Sequence, residues 1–264
     1  MGAPGGTSVP QSPADFSPVA NLDALINRRS GRLDLDSLYD APRDPADVRR
    51  MLVGAVSASG IGLERPPRKA DANDLPRHAR SRDPGRDRAA RMGDGRNDAS
   101  LILSQLHVAF LKAHNALVDA GLSFQEARTA LRRRYRWLVL NDLLPRLCDP
   151  KVLAQIAAHG PAGWPAQGPG APFVPVEFAA AAFVLAPTMA RASYDYNSNF
   201  RNIERGALST RLALGGAARA GEGVPEHWII AWEGFLPLEA MAPQRARSID
   251  TLMAGPGDAA LETA

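Results

Sequence analysis

The side chains best suited to chemistry lie between residues 93 and 115, GDGRNDASLILSQLHVAFLKAHN. Arg96 sits just ahead of a strongly amphipathic stretch, and that stretch carries His107 and His114 seven residues apart. An arginine held over a reacting bond stabilises negative charge as it develops. A histidine moves protons near neutral pH or ligates a metal through a ring nitrogen. Two helical turns separate the two imidazoles, so they share one helix face. On an apolar face the same spacing also describes two histidines that pack and hydrogen-bond within a core. No nucleophile–base pair and no metal-ligand spacing stands out elsewhere. Cys148 is the one cysteine, which excludes an intramolecular disulfide, and it reads as a small buried residue.

The elements that must position these residues are helices. Asp98 is the expected N-cap of a first long helix, with Ile102, Leu106, Phe110, Ala113 and Leu117 at helical spacing and Gly121 at its stop. Ser123 and Glu126 form a capping box: the hydroxyl takes one orphan N–H and the carboxylate reaches back to another. The helix behind them carries Ala127, Leu131, Tyr135 and Leu138 and is expected to end near Pro145. Arg132, Arg133, Arg134 and Arg136 read as its solvated outer face. A short helix over 151–159 stops at Gly160, and a Gly/Pro-rich connector leads to an Ala-rich helix over 176–186. PEHWIIAWEGFLP and PQRARSIDTLMAG read as two further helices sharing a Trp/Phe cluster. No strand alternation and no internal repeat is visible, so the fold class is mainly α.

The 264-residue chain is long enough for a sizeable core, with 45% hydrophobic residues. Residues 1–20 are rich in Pro, Gly and Ser, lack the basic and apolar regions of a signal peptide, and read as a disordered lead. The remaining domain, 21–264, includes an irregular Arg/Pro-rich segment at 64–91. The longest apolar run, Ala179 to Ala190, contains a Pro and falls short of a membrane span. A cytoplasmic protein is the default expectation. The formal charge is +3, and the basic side is almost all Arg, with only Lys69, Lys112 and Lys151 as lysines. That usage points to a GC-rich genome rather than to a nucleic-acid surface, and no nucleic-acid partner is expected.

Three stretches carry a family resemblance. The segment GDGRND, the helix with His107 and the His114–Asn115 pair resemble the region in which animal-type haem peroxidases (the peroxidase–cyclooxygenase superfamily) place a catalytic Arg over the haem. Residues 175–197, PVEFAAAAFVLAPTMARASYDYN, resemble the proximal helix that presents the iron ligand. The stretch PEHWIIAWEGFLPLEAMAPQRARSIDTLM resembles the bacterial branch, and the likeness covers about residues 21–252. The resemblance implies the helical core of the peroxidase fold, about half the length usual for catalytic members and incomplete at both ends. It also assigns roles. Arg96 matches the catalytic arginine. Ala99 stands where the family has an acid that bonds the haem rim, Val184 where an arginine supports a propionate, and Pro187 where histidine ligates iron. No histidine precedes His78, so the distal base is missing. Haem is therefore the family cofactor, with His107 or His114 as the substitute ligands to consider.

Residues 30–39, SGRLDLDSLY, resemble the family's calcium loop. The resemblance makes Ser30, the carbonyl of Arg32, Asp34 and Asp36 the inherited ligands, on alternate residues that project to one side. Without a third carboxylate such a site is weak, and the two aspartates could equally be solvated or cap a helix starting near Ser37. Two functional readings follow. One is a non-catalytic pseudoperoxidase, a helical scaffold that meets a protein partner or a second copy through an exposed apolar groove. The other is a shortened, active, hydrogen-peroxide-dependent oxidoreductase with a substitute haem ligand.

Overall fold

A computed structural model describes residues 32–57, 72–83, 86–98, 100–160, 178, 189, 191, 193–204, 223–237 and 243–246. Helices dominate among them and strands are two or three residues long, so the chain is mainly α. The chain divides into two compact units, one of residues 1–51 and 111–173, the other of residues 52–110 and 174–264.

In the first unit a four-residue helix, α1 (Asp36–Tyr39), follows Leu35, whose backbone is left-handed with φ 55°. The long helix α2 (Leu101–Asp119) ends here, with Gly121 at φ +97° supplying the left-handed stop. Helix α3 (Phe124–Leu138) then starts on the expected capping box: Ser123 accepts from the Glu126 N–H while Glu126 accepts from the Ser123 N–H. Phe124, Ala127 and Leu131 are its buried seam. The α-helix proper stops at Leu138 rather than near Pro145. A π-turn (Val139–Leu143) and a short helix α4 (Leu144–Leu147) carry the chain past the proline. Pro145 sits in the first turn of α4, where its missing N–H costs nothing, and the wide turn ahead of it absorbs the ring. Helix α5 (Pro150–His159) is capped by Asp149 and stops at Gly160, φ +79°.

The interior of this unit is built on α2. His114 is fully buried, its Nε2 donating to the Arg49 carbonyl at 3.0 Å and its Nδ1 accepting from the Tyr39 hydroxyl at 3.1 Å. Asn115 uses both ends of its amide on Met51, accepting from the N–H at 2.7 Å and donating to the carbonyl at 2.9 Å. The rings of Tyr39, His114 and Phe124 meet at 5.0–5.9 Å between centroids. The Arg43 guanidinium caps the Phe124 ring at 3.7 Å.

In the second unit, strands β1 (Gly54–Ala55) and β2 (Ala72–Asp74) pair antiparallel. Gly54 is required there, because a Cβ would lie 2.1 Å from the Leu75 carbonyl oxygen. A short pair β3 (Ser193–Tyr194) and β4 (Ile203–Glu204) forms a second ribbon. Leu101, Tyr196, Val224 and Ile230 form a buried cluster, with Ile102, Tyr194, Phe200, Trp228, Trp232 and Phe235 packed against it. The Trp/Phe cluster is therefore present, but the helix expected under it is not. Glu226–Trp228 and Trp232–Gly234 are single 3-10 turns separated by extended backbone. That backbone has other partners: Ala231 N–H donates to the Tyr196 carbonyl at 2.8 Å, and the Asn197 amide donates to the carbonyls of His227 and Ile229 at 2.9 and 2.8 Å. Fixed tertiary acceptors and donors outweigh helix propensity at this site.

By length and composition alone, α2 just reaches what a membrane span needs. More than half of that stretch is buried inside the protein, and it carries buried Ser104, Gln105, His107, His114 and Asn115, the pattern of a core helix.

Candidate functional site

Arg96 lies on a 3-10 turn, Gly95–Asp98, immediately ahead of α2. Ser100, not Asp98, caps α2: its hydroxyl accepts from the Leu103 N–H at 3.3 Å. Asp98 is occupied elsewhere, as described below. The Arg96 guanidinium closes onto Asp94, with Nε donating at 2.9 Å and Nη2 at 2.6 Å, while the Arg96 N–H also reaches Asp94 at 3.1 Å. The hydrogen bonds to Asp94 raise the arginine's pKa. Its side chain is nonetheless 64% exposed. A guanidinium in that position is satisfied and wet, the opposite of a charge held ready in a dry pocket.

His107 is about two helical turns past that cap and is buried, 7% exposed. Its Nδ1 faces the Asn97 amide nitrogen at 3.4 Å, and its Nε2 has no hydrogen-bond partner. Burial pushes its pKa down to about 4, so the ring is neutral at physiological pH. With Asn97 donating to Nδ1, the proton resides on Nε2. Asn97 and His107 meet, while Arg96, next to Asn97 in the chain, turns onto Asp94 instead. His114 lies in the other unit, where both its nitrogens are committed as described above, and burial lowers its pKa.

The loop resembling a calcium site leads into α1. Ser30 lies outside the described residues. Arg32 accepts from the Asp34 N–H at 2.9 Å. Two arginines of α3 fill the turn: Arg136 donates to the Leu33 carbonyl at 2.7 Å, and Arg132 donates to the Asp34 carbonyl. The Arg132 guanidinium also stands 4.0 Å from the Asp34 carboxylate. Asp34 Oδ1 is buried without a partner, and Asp36 lies in the first turn of α1. Arg132, partly buried, and Arg136, still exposed, thus tie α3 to this loop rather than facing solvent alone. Among the described residues no three His, Cys, Asp or Glu side chains converge as a metal would require. Ala99, Val184 and Pro187, and all of the Ala-rich helix except Phe178, also lie outside the described residues. Cys148 is exposed, because α4 presents no buried face.

The most developed polar cluster was not foreseen. Arg77, within the stretch read as irregular, has a side chain only 5% exposed and lies between two carboxylates. It donates to Asp74 at 2.8 and 3.0 Å and to Asp98 at 2.7 and 2.9 Å, and to the Arg88 carbonyl at 3.2 Å. Asp74 also accepts from the N–H groups of Leu75 and Val224, at 2.7 and 2.9 Å. Gly223 permits this approach, since a Cβ there would meet Asp74 at 2.8 Å. Burial opposes the guanidinium charge, but the two carboxylates outweigh it and raise the Arg77 pKa. With two carboxylates and one cation, Asp98 is under-compensated: burial raises its carboxyl pKa, and Arg77 offsets only part of that rise. The sequence signal was faint, an Asp and an Arg three residues apart around Leu75–Pro76.

A cleft of about 640 Å³ runs between residues 52–57 and 74–79 beside Gly223. Asp74 and Arg77 in its wall are spent on each other, on Asp98 and on backbone, which leaves His78 as the titratable side chain of its lining outside that cluster. Comparison with family models and with characterised proteins finds no match for the chain.

Proposed function

We propose that this chain is a non-catalytic pseudoperoxidase, a helical scaffold of haem-peroxidase ancestry that acts through contact rather than turnover. The observation that carries the reading is the closure of Arg96 onto Asp94 on an exposed turn. The one family catalytic residue that survives in the sequence is satisfied by its own neighbour and open to water. The residues at the haem positions agree. Alanine cannot bond a haem rim, valine cannot support a propionate, and Pro187 offers no side-chain donor to iron. These residues do not fit a haem, and no step is derived through one. Contact is favoured by the many large apolar side chains that α3, α4, α5 and the π-turn leave exposed.

A haem titration of the purified chain followed by absorption tests this. The expected result is a spectrum of loosely adsorbed haem. A saturable, stoichiometric Soret band would overturn it.

A second reading, a shortened active peroxidase, draws on one observation, the unpartnered Nε2 of buried His107. For that nitrogen to bind iron, its proton must move to Nδ1 and the Asn97 amide must turn to accept it. Loss of a Soret complex in His107→Ala, with its retention in His114→Ala, would favour this reading over the first.

A further inference from the structure

The end of α3, the π-turn, α4 and α5 form an arm with an unusual property. Neither the π-turn nor α4 nor α5 has a buried residue. Yet Trp137, Leu140, Leu143, Leu147, Val152 and Ile156 are each between 43 and 60% exposed. Val152 and Ile156 lie one turn apart on α5, so they stand on one face of it. An exposed apolar helix face marks a surface that something else covers.

Charge identifies the cover. Between residues 124 and 160 there are seven basic and three acidic side chains. All three acids are engaged locally: Glu126 in the capping box, Asp142 with Arg146 at 2.6 Å, and Asp149 on the Lys151 N–H at 2.7 Å. Arg133 and Arg134 are exposed and lie one turn before Trp137 and Leu138 respectively. Basic, tryptophan and leucine side chains therefore alternate along one exposed helical run, the composition of segments that lie in a bilayer interface. A second copy would fit poorly, because a self-contact brings together two arms that each carry the same excess of basic side chains.

We propose that this arm docks on an anionic lipid surface, with Trp137, Leu140 and Leu143 entering the headgroup boundary and Arg133 and Arg134 meeting the lipid phosphates. The inference rests on the reading of the chain as a contact scaffold and names what it contacts. Adhesion is interfacial, and no segment of the arm crosses the bilayer.

Co-sedimentation of the full chain with phosphatidylcholine–phosphatidylserine vesicles, and with pure phosphatidylcholine vesicles, tests it. Binding is expected on the first and not on the second, and is expected to weaken as salt rises. Arg133→Gln/Arg134→Gln is expected to lower the partition coefficient roughly 25-fold, about fivefold per charge at an anionic surface. Leu140→Asp is expected to abolish binding. Brominated acyl chains are expected to quench part of the tryptophan emission, and Trp137→Phe to remove that part. All four positions are exposed, so circular dichroism matching the parent confirms that the variants fold. Failure to bind anionic vesicles overturns the proposal. So does equal binding to both vesicle types that the double arginine variant leaves unchanged. A chain that ignores vesicles but forms a dimer, or captures an acidic amphipathic peptide, through Leu140 and Arg133 assigns the arm to protein instead and also overturns it. The haem titration is independent. A Soret complex would remove the non-catalytic reading without touching vesicle binding, and loss of vesicle binding without a Soret band would remove the lipid surface alone.

Discussion

Replacing Arg77 by Met probes the strongest polar commitment in the second unit. Methionine keeps most of the apolar stem and removes the guanidinium, together with five hydrogen bonds. What remains is a buried pair of carboxylates, Asp74 at 1% and Asp98 at 16% side-chain exposure. Asp74 keeps two backbone donors, from Leu75 and Val224. Asp98 loses the cation that held its charge. Breaking a buried pair by removing one partner costs about 3–5 kcal/mol, most of it the penalty of the charge left behind. The direction with pH follows from the Asp98 carboxyl, whose pKa burial already raises. Without Arg77 it rises further. A folded-state pKa above the unfolded one means stability that is full at low pH and is lost as pH rises through the folded value. The deficit of Arg77→Met relative to the parent should therefore be largest near neutral pH and shrink at acid pH, as Asp98 takes up a proton. Urea denaturation of both proteins at the two pH values reads this directly. A loss under about 1 kcal/mol, or a deficit equal at both pH values, would refute the electrostatic account of the cluster. Adding Asp98→Leu to Arg77→Met should recover part of the loss, since it removes the orphaned charge.

Two further outcomes are expected. The parent protein should lose about 3 kcal/mol of stability as pH falls from 6.5 towards 4, because His107, with its pKa lowered to about 4 by burial, stays neutral in the fold while the unfolded chain binds a proton. His107→Leu should flatten that part of the profile, and an unchanged slope would count against it. Ser123→Ala should lower stability by about 1 kcal/mol in thermal denaturation, through loss of the hydroxyl that accepts from the Glu126 N–H, whereas a neutral result would mean water replaces the cap at no cost.

What was legible in the sequence is what local rules govern. The capping box at Ser123, the glycine stops at Gly121 and Gly160 and the run of α2 depend on residues within one or two turns, and each forms where expected. The misses share a different cause. The stretch from Pro225 to Pro237 has helical apolar spacing, yet Asn197, thirty residues upstream of His227, holds the carbonyls of His227 and Ile229 and keeps the backbone there extended. Asp98 has the right position to cap α2, but Arg77, twenty-one residues away, takes its carboxylate, and Ser100 caps instead. Arg132 and Arg136 lie on a polar face, and only the return of residues 33–34 gives that face something to bind. Each correction comes from a partner distant in sequence, which periodicity cannot register.

These distant partners also bear on function. Four carboxamides use both ends of the group on backbone. Asn115 brackets Met51, and Gln244 brackets Asp195 with bonds of 2.7 and 2.8 Å. Gln105 links the Asn73 carbonyl to the Ile230 N–H, and Asn197 holds His227 and Ile229 while its own oxygen accepts from Asn199 and Phe200. They stand in for the ladders that two-residue strands are too short to provide. A catalytic site needs the reverse, polar groups whose hydrogen-bonding capacity is kept for a substrate. Among the described residues the buried side-chain atoms with unused capacity are Asp34 Oδ1, His107 Nε2, Arg128 Nε and His227 Nδ1. Asp34 and Arg128 belong to the first unit, His107 and His227 to the second, so each unit holds two. His227 Nε2 already accepts from the Trp228 indole at 2.9 Å, and His107 Nδ1 faces the Asn97 amide at 3.4 Å. Peroxide chemistry needs a base, a charge stabiliser and an iron ligand at once. Polar groups spent on backbone and apolar groups left on the surface support the proposed reading of a scaffold that presents a face.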